Sequence, residues 1–138
     1  MAVKVINCDM IHPLHLPGRD LRWIINNETV GAQKMSIAIM DCPAHSIVRP
    51  LHSHKGIEEV ILILEGCGEA WVEGEKAMFK KGDAVFFSAG SRHQVRNIGE
   101  SMLVTASIFS SVTSPDSYTT YEEDVFENIS DIWKGKVE

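Results

Sequence analysis

Apolar and polar residues alternate with a period of two over much of this chain. Met35, Ile37 and Ile39 interleave with Lys34, Ser36 and Ala38, the pattern of a strand with one face on a core. Residues 58–65 read Glu-Glu-Val-Ile-Leu-Ile-Leu-Glu, apolar on both faces, which predicts a strand covered on both sides. If Ile61 and Ile63 face inward, Val60, Leu62 and Leu64 need a cover of their own. Gly66, Gly68, Gly74, Gly82, Gly90 and Gly99 then punctuate the sequence every few residues. Short strands at such spacing predict an all-β sandwich or barrel. Glu73-Gly74-Glu75 reads as a hairpin turn between strands at 70–72 and 77–79, and Lys80-Lys-Gly-Asp83 as the next turn. Residues 21–25, 84–87 and 102–109 read as further strands.

The C-terminal segment changes period. Val125, Phe126, Ile129, Ile132 and Trp133 form one helical stripe, and Thr120 with Glu123 offers a capping box. The expected layout is one domain: a barrel over about residues 29–112, a strand-bearing segment 1–28, and an acidic tail with a short helix over 113–138. Met35, Met40, Met78 and Met102 read as core filler, and Trp23, Trp71 and Trp133 as packing residues.

Composition narrows the function classes. The formal charge of −6 over 138 residues argues against nucleic acid as a partner, because phosphate binding needs a concentrated basic surface. Much of the negative charge sits beyond Pro115, a segment that reads as a solvated acidic surface. Cys8, Cys42 and Cys67 are widely spaced and odd in number, which gives no support to a thiolate metal site and suits a reducing compartment. No stretch approaches the roughly 20 apolar residues that span a bilayer, so no membrane partner is expected and a cytoplasmic location is.

Three histidines and a carboxylate carry the candidate chemistry. His52 and His54 are two apart, so a strand presents both imidazoles on one face. Glu59 is an odd number of residues further on, and Gly56 supplies the turn or bulge that resets the register. His93, Val95 and Asn97 share a face of another strand, so His93 can reach the same interior. Glu58 then points away. Imidazole and carboxylate without thiolate suit a divalent Fe, Mn, Ni, Cu, Co or Zn ion without choosing among them. Four protein ligands leave two positions of an octahedral ion open for water, oxygen or a chelating substrate.

These residues resemble a known family. His52-Ser-His54-Lys-Gly-Ile-Glu-Glu59-Val-Ile-Leu-Ile-Leu-Glu-Gly66 is similar to the first motif of the cupins, and Gly82-Asp-Ala-Val-Phe-Phe-Ser-Ala-Gly-Ser-Arg-His93-Gln-Val-Arg-Asn97 to the second. The resemblance implies the double-stranded β-helix (jelly-roll) barrel, with His52, His54, Glu59 and His93 as metal ligands. Gly66, Gly82, Gly90 and Asn97 become framework positions. Ser46 and Ser88 depart from the glycine and proline usual at their places, and neither is a ligand. The approach to the barrel, Thr29-Val-Gly-Ala32, is similar to that of small one-barrel members that resemble polyketide cyclases.

The expected function is that of a metal-dependent enzyme acting on a small oxygen-rich molecule (a carboxylate, carbonyl or polyol) coordinated to the ion. Dioxygenase, decarboxylase, isomerase, lyase and cyclase chemistries are all compatible with the family. The competing readings are a non-catalytic module that binds or senses a metal or small ligand, and a barrel whose ion only cross-links strands. Arg22, Arg49, Arg92 and Arg96 are candidates for steering a carboxylate, Arg96 the weakest because it alternates away from His93. His12, His15 and His45 read as surface or hydrogen-bonded residues. The C-terminal helix or a second subunit could cover the strand that is apolar on both faces, and a homodimer is expected.

Overall fold

The computed structural model describes residues 2–113 and 117–126. Among these residues, eleven strands form two antiparallel sheets. The six-stranded sheet has the order β1 (Leu14–Leu16), β2 (Arg19–Ile25), β3 (Ser36–Cys42), β10 (Leu103–Phe109), β5 (Glu59–Glu65) and β8 (Ala84–Phe87). The five-stranded sheet has the order β11 (Thr119–Tyr121), β4 (Leu51–Ser53), β9 (His93–Asn97), β6 (Cys67–Val72) and β7 (Glu75–Lys80). From β3 onward the chain passes back and forth between the sheets, apart from the β6–β7 hairpin, as in a jelly roll. No helix among the described residues is long and apolar enough to cross a membrane.

The core lies between the sheets. Leu21, Trp23, Met40, Ile61, Ile63, Leu103 and Phe109 come from one side, and Ala70, Phe79 and Val95 from the other. Ile61 and Ile63 point inward as expected, and Leu62 and Leu64 are left more than a third exposed. Strand β3 is reversed relative to the simple apolar reading. Ser36, Ala38, Met40 and Cys42 face the interior, and Ile37 and Ile39 lie half-buried outside. Small side chains on the inner face leave room in the barrel, so here shape outweighs hydrophobicity. Of the four methionines read as core filler only Met40 is buried; Met35, Met78 and Met102 are exposed.

The turns follow their residues. The Glu73-Gly74 hairpin joins Val72 to Glu75 with positive φ at both turn residues, the form that matches strand twist. Asp83 closes the next turn by accepting the Lys80 N–H on its side chain. Gly18, between β1 and β2, has φ +80, and a Cβ there would stand 1.8 Å from the carbonyl oxygen of Ile47. Only glycine lets this turn lie flat on the 47–49 loop, where the Arg49 N–H donates to the Pro17 carbonyl.

The C-terminal expectation is corrected in part. Thr120 does not begin a helix: it lies in β11 and pairs with His52 across the strands. Residues 122–126 are not helical either. They cross the outer face of the five-stranded sheet, where Asp124 pairs with Arg49, Val125 N–H donates to the side-chain Oε1 of Gln94, and Phe126 is buried beneath Arg96. Gln94 and Phe126 are sealed by this strap, so its anchoring is apolar as well as ionic. Ile129, Ile132 and Trp133, the rest of the expected helical stripe, lie outside the described residues.

Candidate metal centre

Four side chains from both sheets meet at one end of the barrel. His52 is the middle residue of β4 and His54 follows its last residue; His93 opens β9, and Glu59 opens β5 of the opposite sheet. One nitrogen or oxygen from each lies within 4.8 Å of the others, and all four residues are buried. Gly56, with φ +71, makes the turn that brings Glu59 onto the face of the histidines. Glu58 is exposed, as the alternation requires. The His54 carbonyl accepts the N–H of Gly90, which ties the turn before β9 to the end of β4.

Each imidazole is held by its neighbours. His52 Nδ1 lies 2.8 Å from the Pro50 carbonyl and His93 Nδ1 lies 3.1 Å from that of Ser91. A carbonyl only accepts, so both Nδ1 atoms carry the proton and both Nε2 atoms keep a free lone pair. The His93 ring stacks on Phe87 at 4.1 Å, His52 stacks on Tyr118 at 5.0 Å, and His54 meets Phe109 edge-on at 5.2 Å. Packing on all sides leaves the rings few other rotamers.

Glu59 Oε1 stands 3.1 Å from His54 Nε2 and 3.2 Å from His93 Nε2. Neither contact is aligned as a hydrogen bond, and all three atoms are buried without a hydrogen-bond partner. Buried groups left in this state cost about 1–3 kcal/mol each. Their free electron pairs converge on a common region, which is the requirement of a cation and not of one another. Three imidazoles and a carboxylate are a donor set that suits a divalent transition metal.

Electrostatics favour the same protonation state. Burial, aided by neighbouring His93, pushes the His52 imidazole down to about 3, so it stays neutral. For Glu59, burial acts to raise the carboxyl, but the adjoining nitrogens of His54 and His93 outweigh it and hold the group at about 2. His52 and Glu59 are therefore in the deprotonated form that a metal needs at neutral pH.

His52, Glu59 and His93 of the cluster form one wall of a cavity that opens to solvent. Its other walls are mainly apolar, with Leu21, Met40, Val48, Ile61, Phe87, Val95 and Phe109, and its remaining polar groups are Arg19, Ser107 and Tyr118. Burial and the charge of Glu59 raise the Tyr118 phenol above its ordinary value, so it keeps its proton.

Arg19 and Tyr118 are the residues that sequence reasoning missed. The four arginines it singled out are all engaged elsewhere: Arg22 with Asp41, Arg49 with Asp124, Arg92 with Glu73 and Glu123, and Arg96 with Glu69. His12 and His15 are exposed and away from the cluster, the latter paired with Asp20 at 2.7 Å.

Comparison with known proteins places this architecture. A family model described as the cupin domain matches residues 38–109. The polyketide synthase CurC of Streptomyces cyaneus is 31% identical over 102 residues, which are 72% of this chain and 64% of that protein. The chain thus matches just under two thirds of CurC. An uncharacterized protein of Methanocaldococcus jannaschii is 33% identical over 102 residues, 72% of this chain and 81% of that one. A predicted oxalate decarboxylase from Thermotoga maritima shares the fold with a TM-score of 0.69 at 24% identity, over 78% of this chain and 98% of the other. The family match takes in all four clustered residues and the strands that carry them, and the chain belongs to the cupin family.

Proposed function

We propose that this cupin holds one divalent transition-metal ion with His52, His54, Glu59 and His93 and is an enzyme acting on a small oxygen-rich molecule. The carrying observation is the set of buried, unpartnered atoms, His54 Nε2, His93 Nε2 and Glu59 Oε1, converging beside a solvent-open cavity. Bound there, the ion supplies a Lewis-acidic centre with positions left for a carbonyl or carboxylate oxygen. The chain's own residues do the rest. The Nδ1 contacts of His52 and His93 fix ring orientation, the apolar walls thin out water, and Tyr118 presents a protonated phenol beside His52. Similarity to a polyketide synthase protein and to a predicted oxalate decarboxylase supports a substrate rich in carbonyl or carboxylate oxygen.

Elemental analysis of untagged protein, purified without chelator or nickel resin, tests the reading. About one transition-metal ion per chain, followed by turnover in decarboxylation or oxygen-consumption assays that His93→Ala abolishes, is the expected result. Protein that contains no metal and takes none up on titration overturns it. A metal-loaded protein whose ion cannot be approached by any added ligand would leave only a strand cross-link.

The outer face of β5 and β8 supports a homodimer. Leu62, Leu64 and Phe86 are exposed there, and β8 is the edge strand of its sheet. A second copy related by a twofold axis would cover both the patch and the edge. Light scattering at micromolar concentration should give twice the chain mass, falling to one on Phe86→Lys; a wild-type monomer overturns this.

A further inference from the structure

Arg19 is the most buried of the five arginines and differs from the others in what surrounds it. The other four each meet a carboxylate, and none lines the cavity beside the metal cluster. Arg19 lines it together with His52, Glu59 and His93, and no carboxylate among the described residues comes within ion-pairing distance of its guanidinium. Its Nη1 donates to the carbonyls of Pro17 and Arg49, which fixes the plane of the group. Among the described residues, Nε and Nη2 have no hydrogen-bond partner. Glu59 attracts it from a distance, but that carboxylate lies against His54 and His93 and outside ion-pairing distance of the guanidinium.

A guanidinium stays charged at any pH at which a protein is folded. Burying one without a counter-charge is costly unless something that binds there supplies it. Here the burial occurs in a cavity with an opening, and both carbonyl contacts fall on Nη1, so Nε and Nη2, the pair of donors that a carboxylate can bridge, take no part in them. The turn that places Arg19 is itself constrained: Gly18 lets Pro17 and Arg19 reach the 47–49 loop at a distance that any side chain would prevent.

We propose that Arg19 is the anion-binding residue of this cavity, pairing with the carboxylate or equivalent anionic group of a compact ligand whose apolar body packs on Leu21, Val48, Phe87 and Phe109. This specifies the substrate class for the metal reading given above and rests on it for the ligand's other end. The pairing with Arg19 does not itself need the metal. The alternative role is a purely structural one, a latch between the β1–β2 turn and the Arg49 loop.

Benzoate and benzamide are nearly the same shape and differ in charge, which makes them a suitable probe pair. Calorimetric titration of Co(II)-loaded protein near neutral pH should show benzoate binding at least about tenfold tighter than benzamide, the worth of one charge-assisted contact. Arg19→Gln should remove that preference while the visible Co(II) bands keep their wild-type intensity. Arg19→Lys should keep part of it. A benzoate preference that survives in Arg19→Gln places the anion on the metal and overturns the proposal, as does a wild-type protein that binds benzamide equally well or binds neither. A variant that lost only thermal stability, with the preference intact, would establish the latch. Should Arg19→Gln fail to fold, the wild type after chelation decides: a preference retained without metal supports Arg19, and one lost with the metal overturns it. Failure to take up Co(II) defeats the metal reading separately, because the charge preference remains readable in metal-free protein.

Discussion

His52 and His93 are direct cross-strand partners, the one residue pair that joins β4 to β9, with ring centroids 4.6 Å apart. The pairing has two effects. It closes the five-stranded sheet at this point, and it brings the Nε2 atoms of two strands to the same side as Glu59 of the other sheet. A single backbone register thus sets half of the candidate ligand cluster.

Removing His93 should therefore separate ligation from folding. His93→Ala leaves a gap beside Phe87, whose ring loses its stacking partner, at a cost of roughly 2–4 kcal/mol. It also relieves one of the unpartnered buried nitrogens, so the loss should fall at the lower end of that range. Metal affinity should drop by well over the 10–100-fold typical of losing a supporting contact. Co(II) titration with circular dichroism as the folding control checks both; wild-type affinity in this variant would remove His93 from the ligand set.

Chelation provides the complementary measurement. An ion that binds only the folded chain stabilises it by RT ln(1 + [L]/Kd), so EDTA should lower the thermal midpoint by several degrees. Glu59→Gln should narrow the gap between the loaded and the chelated protein. An EDTA-insensitive midpoint in protein shown to contain metal would place that metal elsewhere.

The metal-free protein should be sensitive to acid in a defined window. His52 sits at about 3 when folded against 6.5 when unfolded, so between those values the unfolded chain takes up a proton that the folded chain refuses. Glu59 behaves alike between 4.5 and about 2. In both cases the unfolded state binds more protons, so stability falls as pH falls, by about 1.4 kcal/mol per pH unit for each proton. Urea midpoints should decline from about pH 6.5 downward and more steeply below 4.5. His52→Gln should flatten the upper part of the curve; a wild-type midpoint constant from pH 6.5 to 4.5 would contradict the shift of His52.

The four clustered residues were legible in sequence because strand parity places His52 and His54 together and Gly56 accounts for the odd spacing of Glu59. The inward face of β3 was not legible. Counting apolar residues favours Met35, Ile37 and Ile39, whereas the barrel interior needs the smaller Ser36 and Ala38, a demand set by strands distant in sequence. Arg19 looks in sequence like a turn residue beside Pro17-Gly18; its burial depends on the 47–49 loop closing over it. Tyr118 lies in a stretch that reads as an acidic, solvated tail, yet β11 pairs Thr119 with Ser53 and Thr120 with His52 and so brings the neighbouring phenol onto the His52 ring. The signal that could have found Tyr118 is the strand-like Tyr118-Thr-Thr-Tyr121 run, which the capping-box pattern at Thr120 obscured.

Gly18 provides a sharp test of how Arg19 is held. In Gly18→Ala the new methyl would overlap the Ile47 carbonyl and meet φ +80 as well. The expected loss is roughly 3 kcal/mol or more, the range of a backbone clash with no flexible neighbour to give way. Gly74→Ala also meets a positive φ, but nothing lies within 4 Å of its added carbon, so about 1 kcal/mol is expected. Equal losses in the two variants, measured by urea unfolding, would mean that strain in φ dominates and that the close approach to Ile47 matters little.

The thiols should divide by burial. Cys42 faces the barrel interior on β3 and is fully buried, and its Sγ lies 3.7 Å from the Ser46 carbonyl. Burial raises the thiol to about 12, so almost no thiolate exists at neutral pH, and thiolate is the form that reacts. Cys8 and Cys67 are free and only partly buried. Dithionitrobenzoate added to the native protein should thus modify these two while Cys42 waits for unfolding, when all three react. Slow reaction of Cys42 at the rate of global unfolding would fit its place between the sheets. Reaction of Cys42 as fast as that of Cys8 would show that the barrel opens locally at β3, the strand that lies between β2 and β10, and would undercut the rigid placement of Arg19 and the cavity it lines.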